Sequence, residues 1–463
     1  MQFLNRFLAD ERDYSQLIKH LNDSDLPLAL NGLTGINKAV VASAIASGGH
    51  RLLMITDTEA AAIELKDDLV ALGISAGHLP ARDYNLTRID GYSKEYEIMR
   101  IDTLSSILDG DFAVVTVSAS SATQYTVSPE VLSSGIFHIG KEDTVDTDEL
   151  IKKLLSYGYK RSDICEGAGQ FSVRGGIMDI FAVGSKMPVR IELWGDQIDS
   201  ISFFDIATQR RTEQINEFRI CPACELPFSY EKLKARLESY LETDKSLSEV
   251  QRQSIGRDID NLENHMPVNA DFYLPFLYDK CATVFDYTKD FYVAVCETEN
   301  VKSRLKSILL TEAGDISDLL ESGLISHKTA KLRMDEAEFN KCISNALLFE
   351  SFPRSFRDIS PAAVVNFGYM RLSPWGGNLN NLIDDINQVR FVYGTAVVFA
   401  GGEKAAKLLA ENLSDNGIPA QFLKDESQIT KDGVFILSGG FSSSFQIPSK
   451  KAARYNTQAH FSI

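Results

Sequence analysis

The run Leu28-Ala-Leu-Asn-Gly-Leu-Thr-Gly-Ile-Asn-Lys-Ala39 places a short apolar strand, a glycine-bearing loop and the start of a helix in direct succession. The alanine-rich helical stretch continues to about Ser47, and Leu52-Leu-Met-Ile55 reads as a second strand. Thr56-Asp-Thr-Glu59 then has the form of a capping box opening a helix. In that helix Ala61, Leu65, Leu69 and Leu72 fall on one face, and Gly73 is placed to stop it. A further helix over Ser93–Leu108 leads into the strand Ala113–Val117. Alternation of strand and helix periods predicts a mostly parallel sheet covered by helices.

The rest of the chain changes texture around this pattern. Of its 463 residues, 44% are hydrophobic and 24% charged, enough apolar material for about three domains. Lysine and arginine number 47 against 64 aspartates and glutamates, a net charge of −17. Such a mean field repels phosphate, which excludes a surface that coats DNA. Six cysteines are too few for a disulfide scaffold, charged residues break up the opening stretch from Arg6 to Arg12, and the apolar runs are strand-sized. A reducing cytoplasm and no membrane association are expected.

Domain organisation follows the texture. Residues 1–127 form the first part of an α/β domain, and 128–219 an inserted α+β module with a helix over Asp148–Tyr157 ending at Gly158. The module's strands are expected at Gln170–Val173, Ile177–Val183, Val189–Trp194 and Ile198–Phe204, with Gly195-Asp196 as a tight turn. Residues 220–326 return to the first domain, charged and helical over Tyr230–Asn264 and β-like at Phe272–Tyr278 and Phe291–Val295. A helical connector is expected over 327–360 and a small α/β domain over 361–463.

Much catalytic chemistry is missing. Gly32, Gly35 and Lys38 sit where a phosphate-binding P-loop belongs. The glycine required before the lysine is Asn37, and the Mg²⁺-binding hydroxyl position is Ala39. No acidic residue follows the strand at 113–117 to complete a metal site. The loop is therefore read as a degenerate P-loop that binds no nucleotide. Cys221-Pro-Ala-Cys224 lacks a second ligand pair for zinc, and the seven histidines are scattered. No catalytic residue, metal or cofactor is expected.

The best local signal is Ser172-Val-Arg-Gly-Gly-Ile-Met-Asp-Ile-Phe181 followed by Pro188-Val-Arg-Ile-Glu-Leu-Trp-Gly-Asp-Gln-Ile-Asp199. Strand parity puts Val189, Ile191 and Leu193 on one face and Arg190, Glu192 and Trp194 on the other. Arg174 could join the second set from a neighbouring strand. Arginine and tryptophan on a rigid, solvated strand suit a protein-binding hot spot. Equally, Trp194 could fold over the sheet edge while the arginines pair with Glu192 or Asp196.

These motifs, with Phe204-Asp-x-x-Thr-Gln-Arg210, resemble the module shared by the excision-repair protein UvrB and the bacterial transcription-repair coupling factor. Leu79-Pro-Ala-Arg-Asp83, Gly158-Tyr-Lys-Arg161 and Pro222-Ala-x-Glu225 extend the likeness. The altered loop at 32–39 and the short stretch between Leu79 and Ser93, with no room for UvrB's DNA-clamping hairpin, favour the coupling factor. The resemblance implies an N-terminal region that is not itself an enzyme. The family as a whole is an ATP-dependent translocase that displaces stalled RNA polymerase, and its ATP, Mg, polymerase and DNA contacts belong mainly to regions beyond this chain. The implied partner is UvrA, bound through Arg174, Arg190, Glu192 and Trp194, with an intramolecular partner masking that face in the full-length protein. The family's aromatic is commonly phenylalanine, so Trp194 is a departure. The alternative is a UvrB-like ATP-dependent DNA damage-processing protein.

Overall fold

The computed structural model describes residues 12–84 and 95–462 except 265, 267, 279, 329–330, 369, 372–377, 394, 426–427, 430–432, 443–444 and 447–459. The hairpin expectation for the Leu79–Ser93 stretch lies largely at 85–94, outside the described residues. The first strands are β1 (Leu28–Asn31), β2 (Leu52–Thr56), β3 (Ala76–Leu79) and β4 (Val114–Ser118). The module adds β5 (Phe137–Gly140), β6 (Lys160–Arg161), β7 (Gln170–Arg174), β8 (Ile177–Phe181), β9 (Val189–Trp194), β10 (Gln197–Phe204), β11 (Arg211–Gln214) and β12 (Glu217–Ile220). Then come β13 (Tyr292–Cys296), β14 (Leu347–Glu350) and β15 (Ala363–Asn366).

The central sheet has seven strands in the order β15-β1-β14-β13-β2-β4-β3, and every pairing is parallel. Both faces are covered, as a parallel sheet requires. Leu53, Ile55, Val115, Val117, Val295 and Leu348 face one core. Leu52, Met54, Val114, Ala294, Leu347 and Phe349 face the other. The fold is mixed α/β, with a parallel central sheet and separate antiparallel sheets.

Four expectations need correction. The stretch 327–360 is more than a helical connector: β14 lies between β1 and β13 in the middle of the sheet. A four-residue apolar run carries too little periodicity to be told from a buried turn. Likewise the central sheet extends past 361, because β15 pairs with β1 as its edge. Residues Phe272–Tyr278 are not β: they form a 3₁₀ turn (Ala270–Tyr273) and a short helix (Leu274–Leu277), packed on the helices Tyr230–Thr243 and Glu249–Glu263. The cap of the helix Glu59–Ala71 also differs. Thr58 is the N-cap, accepting from the Ala61 amide, and the Glu59 carboxylate is bonded to His78 and to the Ala81 amide.

The inserted module is a six-stranded sheet, β11-β10-β9-β8-β7-β6, antiparallel except for β6 with β7. Its inner face, with Phe171, Met178, Ile180, Val189, Ile191, Ile198 and Ile201, joins the same core as one face of the central sheet. The module is therefore seated rather than tethered. A buried ion pair straddles its two ends: Arg100 Nε and Nη2 reach Glu225 Oε2 and Oε1 at 2.8 and 2.7 Å, and Thr126 donates to the same carboxylate at 2.7 Å. Burial pushes Glu225 up, but Arg100 and Arg82 outweigh it and hold its carboxyl below the usual range.

The C-terminal unit is a second six-stranded sheet. One face carries its own helices, with Leu382, Ile386, Ala406 and Leu413 against Val398 and Ile436. The other face, through Val397, Phe399, Phe435 and Leu437, packs into the core that holds the helices Asn37–Ser47 and Glu59–Ala71. Those two helices are thus shared between two sheets, and Asp68 accepts from the Ser442 amide at 2.8 Å to pin the contact.

Candidate functional site

On the module's outer face the decisive residue is one that sequence parity alone did not single out. Asp179 lies on β8 directly opposite Arg190 of β9 and is fully buried. Arg190 donates to it from Nε at 2.7 Å and from Nη2 at 2.9 Å, and Arg174 Nη2 donates at 2.8 Å. Arg190 also reaches the Gln209 carbonyl at 3.1 Å and lies 4.5 Å over the Phe204 ring. Its side chain is 13% exposed, whereas that of Arg174 is 49% exposed. The arginines do pair internally, but with Asp179 rather than with Glu192 or Asp196. The signal was present: Asp179 is the one carboxylate in an otherwise apolar strand, on the same parity as Ile177 and Phe181.

Arg190, Glu192 and Trp194 share the face opposite the buried Val189 and Ile191. Glu192 accepts from Ser200 at 2.8 Å and from Arg211 at 2.9 Å. Trp194 does not fold over the edge; it is 84% exposed. Gly195 has φ +62° at the first turn position between Trp194 and its partner Gln197. A two-residue turn of that kind wants glycine there, and it presents the indole at the tip of the hairpin. The arrangement is a rigid strip with an exposed aromatic and charged groups already fixed in place, which lowers the ordering cost of binding a protein.

The glycine loop is occupied by the protein itself. Gly32 has φ +83°, and a Cβ there would come within 2.2 Å of the Phe367 carbonyl. The close approach that the glycine permits is thus made by the protein's own backbone after β15. Lys38 Nζ donates to Glu297 Oε1 at 2.7 Å, and the same oxygen accepts from the Ser351 amide at 3.0 Å and from its hydroxyl. Burial pushes Glu297 up, but the Lys38 and Ser351 bonds outweigh it and hold the carboxyl below its ordinary value. Alongside lies a crevice of about 140 Å³ whose lining includes Asp57, Glu64, Asp68 and Glu297 against Lys38.

No carboxylate follows the 113–117 strand, and the acids beside the loop come from other strands. Glu297 directly follows β13 and Glu350 ends β14, which lies next to β1 with β13 beyond it. Sheet order differs from chain order, so the acids closest to the loop arrive more than 250 residues later in the sequence. Glu350 is buried, accepts from the Thr298 amide at 2.9 Å, and is raised by that burial.

Cys221 and Cys224 form no disulfide, and Cys221 is buried beside Ser105, with burial raising its pKa. Among the described residues no group of three histidine, cysteine or carboxylate side chains is placed to hold a metal ion. Nor, among them, is any helix long and apolar enough to cross a membrane.

Residues 137–226 match the model of the UvrB interaction domain. Over 98% of its length the chain is 27% identical to the transcription-repair-coupling factor of Bacillus subtilis (strain 168), covering 40% of that protein. The transcription-repair-coupling factor of Staphylococcus aureus (strain bovine RF122 / ET3-1) is 24% identical over 88% of this chain and 36% of its own. The chain thus spans about two fifths of the length of the relatives it matches, corresponding to their N-terminal part. These findings bear out the resemblance read from residues 172–210 and favour the coupling factor over UvrB. A solved structure named "XPD_Helicase" aligns over 96% of this chain and 81% of its own at 10% identity, with a TM-score of 0.23, too low to carry an argument.

Proposed function

We propose that this chain is the non-catalytic N-terminal part of a transcription-repair-coupling factor, and that it recruits UvrA to lesions where RNA polymerase has stalled. One observation carries the reading: the UvrB interaction domain at 137–226 presents Trp194, 84% exposed, beside Arg174 and Glu192 on a rigid outer face. Trp194 fills an apolar pocket of the partner, and Arg174 meets a partner carboxylate. ATP-driven translocation and most contacts with polymerase and DNA belong to other parts of the coupling factor, which acts in the bacterial cytoplasm. In the full-length protein this same face is where an intramolecular partner would mask it.

Non-catalysis is supported by the loop at 32–39, a degenerate P-loop in this reading. A nucleotide phosphate would have to displace Glu297 from Lys38 and enter a crevice lined by further carboxylates. Asn37 and Ala39 replace the glycine and the metal-binding hydroxyl. No nucleotide, metal or other cofactor is assigned to this chain.

The test is calorimetric titration with UvrA. Trp194→Ala should weaken binding by about 30-fold or more, as expected of a central aromatic hot spot. Because the indole is solvated, the variant keeps wild-type stability, so lost affinity reports contact rather than folding. Unchanged affinity in Trp194→Ala would sink the assignment. Arg190→Ala is the poorer probe, since Arg190 is tied to a buried carboxylate.

A further inference from the structure

Arg190 is nearly saturated inside the protein. A guanidinium has five N–H donors, and Arg190 directs bonds from Nε and Nη2 to Asp179 and from Nη1 and Nη2 to the Gln209 carbonyl and side chain. With its side chain 13% exposed, it has little left to offer a partner. The face nevertheless presents a second outward cation. Arg211, at the start of β11, is 54% exposed and grips Glu192 with both terminal nitrogens, Nη1 and Nη2, each at 2.9 Å. That fork fixes the guanidinium in place and leaves its other donors toward solvent.

Its position matters as much as its exposure. The strand order puts β9 at the centre, with β7 two strands to one side and β11 two strands to the other. Strands lie about 4.8 Å apart, so Arg174 and Arg211 originate roughly 10 Å on either side of the strand that ends in Trp194. Glu192, the residue Arg211 holds, is two residues from Trp194 on the same face. β11 is an edge strand with all four residues exposed, so nothing else in the module covers Arg211. Register puts Arg174 level with Glu192, and the Arg211 side chain reaches the same residue from beside Phe204, so the two cations bracket Glu192 with the indole two residues beyond.

We propose that Arg211 is a direct contact residue for an acidic surface of UvrA, bracketing Glu192 opposite Arg174 and beside the exposed Trp194, and that it supplies the outward charge that Arg190 cannot. The inference rests on the UvrA-binding reading above. The experiment compares Arg211→Gln, Trp194→Ala and wild type in calorimetric titrations with UvrA at low and high salt, with urea midpoints measured alongside. Arg211→Gln is expected to bind at least tenfold more weakly at low salt and to show a flatter salt dependence, with an unchanged urea midpoint, because a solvated cation acts through screened attraction. A loss smaller than tenfold in Arg211→Gln, while Trp194→Ala binds at least 30-fold more weakly, overturns the role of Arg211 and leaves the face intact. Unchanged binding in both variants overturns the role of Arg211 together with the reading of the face.

Discussion

Replacing Arg190 with alanine tests whether Asp179 organises the outer face. The substitution removes both bonds from Arg190 to Asp179, two to Gln209, and the stacking over Phe204. Breaking a buried ion pair by deleting one partner costs about 3–5 kcal/mol, because the remaining charge is stranded. Arg174 still neutralises Asp179 from its exposed side, at 2.8 Å, so the expected loss is smaller, about 2–3 kcal/mol. Hydrogen exchange reads this locally: amides of β8 and β9 that open with the module should exchange about 30- to 150-fold faster. In an Asp179→Asn background no carboxylate is stranded, and the same substitution should cost less than about 1 kcal/mol. Equal losses in the two backgrounds, or unchanged exchange in Arg190→Ala, would refute the idea that Asp179 anchors this face.

Further expectations concern the loop and the seat of the module. Gly32→Ala places a Cβ against the Phe367 carbonyl in left-handed backbone, so it should destabilise by about 3 kcal/mol or more in urea unfolding. Arg100→Ala strands the buried Glu225 and should cost about 3–5 kcal/mol, visible as a lowered urea midpoint and as faster exchange at 217–226. Glu297 has its carboxyl held below the ordinary value near 4.5. Its stabilising contribution is therefore complete at neutral pH and lost as pH falls below that value through the lowered one. The acid limb of the stability curve should be shallower in Glu297→Gln, and an identical limb counts against the Lys38–Glu297 clamp. Finally, millimolar Mg-ATP should leave the melting temperature of this chain unchanged, since only a ligand that binds the folded state raises it.

How much of this was open to reading from the residues differs from element to element. The strand–loop–helix run at 28–47, the parallel character of the sheet and the outward parity of Arg190, Glu192 and Trp194 follow from intrinsic periods of the backbone. A strand alternates its side chains every second residue and a helix every 3.6, whatever lies around them. The long mixed motif at 172–199 carried the likeness to the coupling factors for a related reason. Its polar positions answer to one particular face rather than to generic packing.

Tertiary structure decided which elements meet. Leu347–Glu350 looked like part of a connector until the sheet placed it between β1 and β13. Asp179 was a polar residue in an apolar strand until register set it opposite Arg190. Lys38 found its counter-ion in Glu297, 259 residues away. No local pattern encodes such partnerships. They are fixed by the strand order and register that bury both faces of the sheet at once, a property of the whole chain and not of any segment within it.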